Sequence, residues 1–297
     1  MGRRSADVLL DTLALHGVDQ FFCVPGESYL GFLDALYDDP KIKGITCRHE
    51  GGAAFMALAD SNITGKPGVL FASRGPGATN ASVAIHAADI GAIPMVCFFG
   101  QVSRKQINKF PSQYYDYVQS FGHYCRSVEQ VDVAERLPEI TARAFQLAQT
   151  GTPGPVIVAL PTDILNEEIE TEPRGPQTAW KAEPSSRELE AVTALLETGE
   201  RPVMFTGAES KSPAARQALT TFAEQYGLPV LPNQVHQHVI SHDHPNFAGA
   251  IGGATPQSVK ETVWNADVVL AVGSRMTNKG SVGFTVPSKD QKLIHIY

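Results

Sequence analysis

Short apolar runs alternate with amphipathic stretches along nearly the whole chain. The runs at 19–24, 42–47, 69–73, 93–99 and 156–160 have the length of strands, and the run at 93–99 lacks the polar alternation of a half-buried strand. It reads as a strand covered on both faces. Between these runs the period changes. After Ser5, the residues Ala6, Leu9, Leu10, Leu13 and Ala14 recur at i, i+3, i+4 spacing, which predicts a helix capped by Ser5 and stopped at Gly17. The same reasoning predicts helices over 29–37, 51–62, 78–88 and 131–149, with Pro138 marking a kink or break in the last. Strands and helices alternate without exception, which predicts a parallel, doubly wound α/β sheet with right-handed crossovers.

From Leu165 to Pro184 the composition turns acidic and gains Pro173, Pro176 and Pro184. This shift reads as an exposed linker, so the expected organisation is a first domain over 1–166, a linker over 167–184 and a second domain over 185–297. The second domain repeats the alternation more loosely. Ser185 or Ser186 caps a helix to 196; strands are expected at 203–206, 229–231 and 268–272, and helices at 213–226 and 256–265. A further strand begins at 292, and this edge is compatible with a finished sheet or with a cut at a domain edge.

Length and charge narrow the function. The 297 residues suffice for two domains, each with its own core. A net charge of −7 argues against nucleic acid or an anionic membrane as partner, and no apolar run reaches the length of a membrane span. Asp7 and Asp11 interrupt the start where a secretory signal would be apolar, which makes the cytoplasm the expected compartment. Cys23, Cys47, Cys97 and Cys125 are widely spaced, and most sit in apolar runs as small buried hydrophobes rather than a disulfide framework.

Candidate chemistry gathers at the ends of the predicted strands. The stretch Cys47-Arg48-His49-Glu50-Gly51-Gly52-Ala53-Ala54 is a strand-to-helix turn, which would aim the Glu50 carboxylate into the crevice beyond the strand. The loop Val24-Pro25-Gly26-Glu27 lies one βα unit earlier. Ser73-Arg74-Gly75-Pro76-Gly77-Ala78-Thr79-Asn80 lies one unit later, and Gly100-Gln101-Val102 closes the next strand. Each has an ordinary structural explanation: Glu50 as a helix-capping carboxylate, the proline–glycine segments as turns, His49 as a packed core residue instead of a proton shuttle. His236, His238, His242 and His244 suggest zinc by type, but their setting in Ser241-His242-Asp243-His244-Pro245 reads as a surface turn.

Taken in order, R-H-E-G-G-A-A, V-P-G, S-R-G-P-G-A-T-N and I-P-M-V-x-F-x-G-Q-V resemble the pyrimidine-binding half of thiamine diphosphate enzymes, in particular their acetolactate synthase-like and 2-oxo acid decarboxylase-like members. The resemblance extends over nearly the whole chain. It implies a flavodoxin-like pyrimidine-binding domain followed by a Rossmann-like central domain. It also implies that Glu50 is the catalytic glutamate, which hydrogen-bonds N1′ of the aminopyrimidine so that the cofactor's amino nitrogen can remove the thiazolium C2 proton. Burial would raise the pKa of such a carboxyl and the helix amino end would lower it. By the same resemblance Pro25, Gly26, Gly77, Thr79 and Asn80 surround the cofactor, and Gln101 and Gln113 face a 2-oxo acid substrate. Around Gln113 the usual F-Q-E pattern is replaced by Ser112-Gln113-Tyr114, which puts substrate specificity in question.

Flavin-binding relatives contact FAD at positions matching Gly249–Ala254 and Gly273-Ser274-Arg275. Here Thr277-Asn278-Lys279 replaces the usual acidic pair and arginine, so FAD is a disfavoured alternative. The family's diphosphate-binding signature, G-D-G followed by N-N, has no counterpart, because the chain contains neither dipeptide. The resemblance therefore implies that Mg2+ and the diphosphate are held by a missing domain or by a separately encoded partner chain, within an oligomer. The chain alone is expected to bind the cofactor weakly and to turn over nothing measurable. The rival readings are a non-catalytic, truncated paralogue acting as a binding or regulatory module, and an unrelated flavodoxin-like binder.

Overall fold

The computed structural model describes residues 2–177 and 183–297; of the expected linker, residues 178–182 lie outside the described residues. The chain forms two compact units, Met1–Trp180 and Lys181–Tyr297. The first contains, in chain order, β1 (Arg3–Arg4), α1 (Ser5–Leu15), β2 (Gln20–Cys23), α2 (Leu30–Asp38), β3 (Lys43–Thr46), α3 (Glu50–Thr64) and β4 (Gly68–Ala72). There follow α4 (Gly75–Gly91), β5 (Met95–Gln101), α5 (Tyr117–Phe121), β6 (Ser127–Gln130), α6 (Leu137–Gln149), β7 (Pro155–Pro161) and β8 (Glu168–Ile169).

Six strands build one sheet in the order β3-β2-β4-β5-β7-β6, parallel throughout. The path runs from β2 out to β3, then crosses back over β2 to reach β4, so the direction of winding reverses between β2 and β4. Loops that leave the carboxyl ends of such a pair diverge and open a crevice. Helices α1, α2 and α6 share one core with the sheet, and α3, α4 and α5 share the other. On the α3/α4 side that core is largely alanine: Ala53, Ala54 and Ala57 of α3 lie with Ala78, Ala81, Ala84 and Ala88 of α4, all fully buried. Small side chains let the two helices approach each other and the sheet closely. Their amino-terminal turns come out side by side at the carboxyl edge.

Several local expectations are corrected. Ser5 is the first helical residue, not the cap of α1, and its buried hydroxyl donates to the Ile164 carbonyl at 2.5 Å. Helix α4 begins at Gly75, so Gly75-Pro76-Gly77 is its first turn, where a proline lacking its N–H costs nothing. Pro138 likewise stands in the first turn of α6 and makes no kink; the segment before it is a 3₁₀ turn, Ala134–Arg136. Strand β6 was hidden by its polar sequence, Ser-Val-Glu-Gln, half-buried at the edge of the sheet. Glu168 and Ile169, expected in the linker, pair antiparallel with Arg4 and Arg3, and Ile169 is buried in the first core.

The second unit contains α7 (Ser186–Thr198), β9 (Pro202–Thr206), α8 (Pro213–Tyr226), β10 (Val230–Pro232), α9 (Gln257–Trp264), β11 (Val268–Val272) and β12 (Lys292–Ile296). Ser185 is the cap of α7, in a reciprocal capping box with Glu188. The four strands form a parallel sheet in the order β10-β9-β11-β12, with α7 and α8 in one core and α9 in the other. Both units are thus doubly wound parallel α/β sheets, as the alternation of runs predicts. Among the described residues no helix is long and apolar enough to cross a membrane.

Candidate functional site

Glu50 opens α3 and stands half-buried at the carboxyl edge of the first sheet. Asn80, one turn into α4, donates its side-chain amide to Glu50 Oε2 at 2.9 Å. The other oxygen faces Gly77: a Cβ added there would lie 3.3 Å from Oε1 and 3.4 Å from the Ala72 side chain. With no side chain at buried Gly77, the carboxylate lies close against the first turn of α4, with Ala72 beside it. A half-buried carboxylate with one oxygen anchored by an amide donor can share a proton with a ring nitrogen brought to the other.

His49 immediately before it acts as the helix cap. Its Nδ1 accepts the Gly51 N–H at 3.0 Å, which satisfies one of the free donors of α3 and leaves the ring proton on Nε2. The shuttle alternative would require this ring to give up the cap.

The loop after β2 closes the other side. Gly26 approaches Ser73 so closely that a Cβ would sit 2.6 Å from the Ser73 Cβ. Behind it the hydroxyls of Ser28, fully buried, and Ser73 share a hydrogen bond of 2.8 Å. Tyr29 donates its hydroxyl to the Val24 carbonyl at 2.5 Å, fixing the start of the loop. Burial pushes this phenol well above its ordinary pKa, with Cys23 and Glu50 adding to the push, so it remains a donor. Pro25 is exposed at the tip.

The remaining expected residues are placed differently. Thr79 is exposed and bonds back to the Pro76 carbonyl at 2.9 Å within its own helix. Gln101 is buried, and its amide is in use: Nε2 donates to the Tyr115 carbonyl at 2.8 Å and Oε1 accepts the Val102 N–H at 3.0 Å. Gln113 is exposed at φ +65°, and its carbonyl accepts the Gly75 N–H at the start of α4. Gln101 and Gln113 therefore touch the same loop from opposite ends, Gln101 from within and Gln113 at its surface.

Arg74 and Glu27 belong to the quoted motifs but carry no separate role in the sequence reading. They form an ion pair of 3.0 Å that joins the loops after β2 and β4. The available signal was an arginine in the short link between a fully buried strand and the helix that follows it. Burial pushes Cys125 up to about 12 and raises Cys23 and Cys97 as well, so these three thiols stay protonated.

In the second unit, the four histidines do not converge. His244 Nε2 meets Glu224 Oε1 at 3.1 Å, His242 stacks on Phe247 at 4.3 Å, and His236 is buried. Among the described residues no three His, Cys, Asp or Glu side chains are placed to hold a metal ion. Gly273 takes a left-handed φ of +61° after β11, where its carbonyl nearly touches Gly207 after β9.

A parallel, doubly wound sheet with a half-buried carboxylate at its carboxyl edge, held by an asparagine of the next helix, is the arrangement of a ligand-binding α/β protein. Comparison with known families gives the particular one. Residues 3–121 match the family model described as thiamine pyrophosphate enzyme, N-terminal TPP binding domain. Residues 189–297 match the model for the thiamine pyrophosphate enzyme central domain. The chain belongs to the thiamine pyrophosphate enzyme family.

Among curated proteins it is similar to the glyoxylate carboligase of Escherichia coli O157:H7, 30% identical over 297 residues, covering 99% of this chain and 50% of that protein. It is 29% identical over 294 residues to the acetolactate synthase large subunit of Corynebacterium glutamicum, covering 98% of this chain and 47% of that one. Acetolactate synthase isozyme 1 large subunit of Escherichia coli K12 is 30% identical over 294 residues, at 98% and 52% coverage. The chain spans about half the length of the curated relatives it matches.

Proposed function

We propose that the chain is the pyrimidine-side and central portion of a cytoplasmic, thiamine diphosphate-dependent carboligase or lyase acting on 2-oxo acids, acetolactate synthase-like in its chemistry. The observation that carries this reading is the arrangement of Glu50, half-buried at the carboxyl edge, anchored through Oε2 by Asn80 and with Oε1 beside the side-chain-free Gly77. When bound, the cofactor supplies an electron-accepting thiazolium that allows a 2-oxo acid to lose carbon dioxide.

The chain's residues supply the rest. Glu50 Oε1 holds or yields a proton at the ring nitrogen N1′, and Asn80 keeps the carboxylate from turning away. Gly77, with no side chain, lets the carboxylate sit close against α4 without being pushed aside, and Pro25 and Gly26 wall the site from the β2 side, backed by the Ser28–Ser73 hydrogen bond. Thr79 stands on the exposed rim of α4. On the substrate side Gln101 acts from behind, by fixing the Tyr115 carbonyl, and Gln113 from the surface of the same loop.

Diphosphate and Mg2+ are assigned to a further segment or to a partner chain, which fits a chain spanning half of its relatives. The active form is an oligomer in this reading. It is supported by α3, which turns Phe55, Met56 and Ile63 outward on the helix that begins at Glu50. A second copy covering that face would also cover the carboxylate end of the helix. No flavin is included.

The test uses the complete assembly, which should sediment as an oligomer. Glu50→Gln should lower kcat by about 10²–10⁴-fold, the range of a lost acid–base group. Its unfolding free energy should stay within about 0.5 kcal/mol of the parent, because the side chain is only half-buried. A variant as active as the parent would instead favour the non-catalytic module.

A further inference from the structure

Arg74 stands one residue beyond β4, after Ser73, and directly before α4, and Glu27 follows the Pro25-Gly26 turn after β2. Their ion pair spans the two loops on either side of the winding reversal, beside the contact between Gly26 and Ser73. The two partners are very unequal. The Arg74 side chain is only 18% exposed, and its Nε is buried with no hydrogen-bond partner. The Glu27 side chain is 69% exposed, and it is the one carboxylate that Arg74 meets among the described residues.

A planar guanidinium can hold a carboxylate through two parallel N–H donors. Here Glu27 comes closest to Nη1 from a solvent-exposed side chain, a weak kind of ion pair, while Nε has no hydrogen-bond partner. A buried N–H without a partner costs free energy that a second acceptor would recover. The arrangement is therefore a built cation with a replaceable counter-ion, at the edge of the sheet where the cleft opens.

We propose that Arg74 binds a carboxylate of the substrate that survives the reaction, displacing Glu27. This rests on the function proposed above and names the part of the substrate that the site selects. The carboxylate in question is not the one lost as carbon dioxide. A guanidinium stabilises a carboxylate more than neutral carbon dioxide, so gripping the departing group would raise the barrier to its loss. What Arg74 suits is the retained carboxylate of an oxo acid acceptor, or the second carboxylate of a diacid.

The experiment needs no cofactor. The full chain, labelled to observe the arginine Nε–H, is titrated with acetate as the monoacid probe and succinate as the diacid probe. The Arg74 Nε–H signal should shift with added carboxylate in the parent. In Glu27→Gln, which removes the competitor, the apparent Kd should fall by about two- to fivefold, roughly what an ion pair with one exposed partner is worth. Arg74→Gln should abolish the binding, and Arg74→Lys should weaken it while keeping the charge. Tighter binding of succinate than of acetate identifies the diacid; equal binding identifies the acceptor acid.

Unchanged or weaker carboxylate binding in Glu27→Gln would overturn the proposal, as would parental binding in Arg74→Gln, whatever the melting temperatures. Failure of the Glu50 reading would appear separately, as a Glu50→Gln assembly with full activity and an Arg74 titration left intact.

Discussion

Two regions of the first sheet, the cluster around Phe71 and the seam under α3 and α4, are packed by different means. On one, Phe32 stacks on Phe71 at 4.3 Å, Phe71 on Phe98 at 4.7 Å, and Phe21 meets Phe71 edge-on at 5.1 Å. All four rings are fully buried beneath α1, α2 and α6. On the other, α3 and α4 lie on the sheet through alanines. Each buried phenylalanine contributes about 1.5–3 kcal/mol of transfer free energy, and an alanine far less. Residue for residue, the Phe71 cluster therefore contributes more to stability than the alanine seam of α3 and α4, although Phe99, Tyr117 and Phe121 add buried rings on that side too. The alanine seam brings two helix ends together so that Glu50, Asn80 and Gly77 meet.

The largest effect that would break this comparison is in the Phe71 cluster. Phe71→Ala should cost about 3–5 kcal/mol in denaturant unfolding, since it removes the ring that Phe21, Tyr29, Phe32 and Phe98 all pack against. Below its midpoint the variant should still bind thiamine diphosphate like the parent. Loss of binding in a protein that remains folded would show that the two regions are not separable.

A smaller effect sharpens the same contrast. His16, the residue after α1, stacks on Phe145 of α6 at 4.6 Å, and its Nε2 is buried without a partner. Burial lowers its pKa below the ordinary 6.5, against a raising hydrogen bond with the Arg174 backbone. The unfolded chain then binds a proton that the folded chain refuses, so stability is lost as pH falls from 6.5 towards the lowered folded value. His16→Phe keeps the stack and removes the titration. It should flatten the slope by at most about 1.4 kcal/mol per pH unit in that window. A slope identical to the parent's would assign the acid sensitivity elsewhere.

How much of this was legible follows from what each residue depends on. Buried strands such as 93–99 announce themselves, because a continuous apolar run has few other uses. Glu50 and Asn80 were readable through ordered motifs, but their hydrogen bond was not, since it depends on how closely two helices pack. Strand β6 escaped notice because an edge strand need not be apolar, and the pairing of Arg3–Arg4 with Glu168–Ile169 joins opposite ends of the unit. Gly75-Pro76-Gly77 looked like a turn because glycine and proline usually make one; only its contacts reveal a helical first turn. The Glu27–Arg74 pair was hidden for the same reason as the Glu50–Asn80 bond.

The most direct measurement follows the side-chain amide of Asn80 in the chain labelled with ¹⁵N-asparagine, titrated to saturation with thiamine diphosphate. If Glu50 holds the aminopyrimidine, the Asn80 signals should shift in the parent. In Gly77→Ala, whose Cβ would stand 3.3 Å from Glu50 Oε1 and press the carboxylate out of place, the same shift should require about tenfold more cofactor in protein that remains folded. Cofactor binding that leaves Asn80 unmoved, or Gly77→Ala binding as tightly as the parent, would contradict the account.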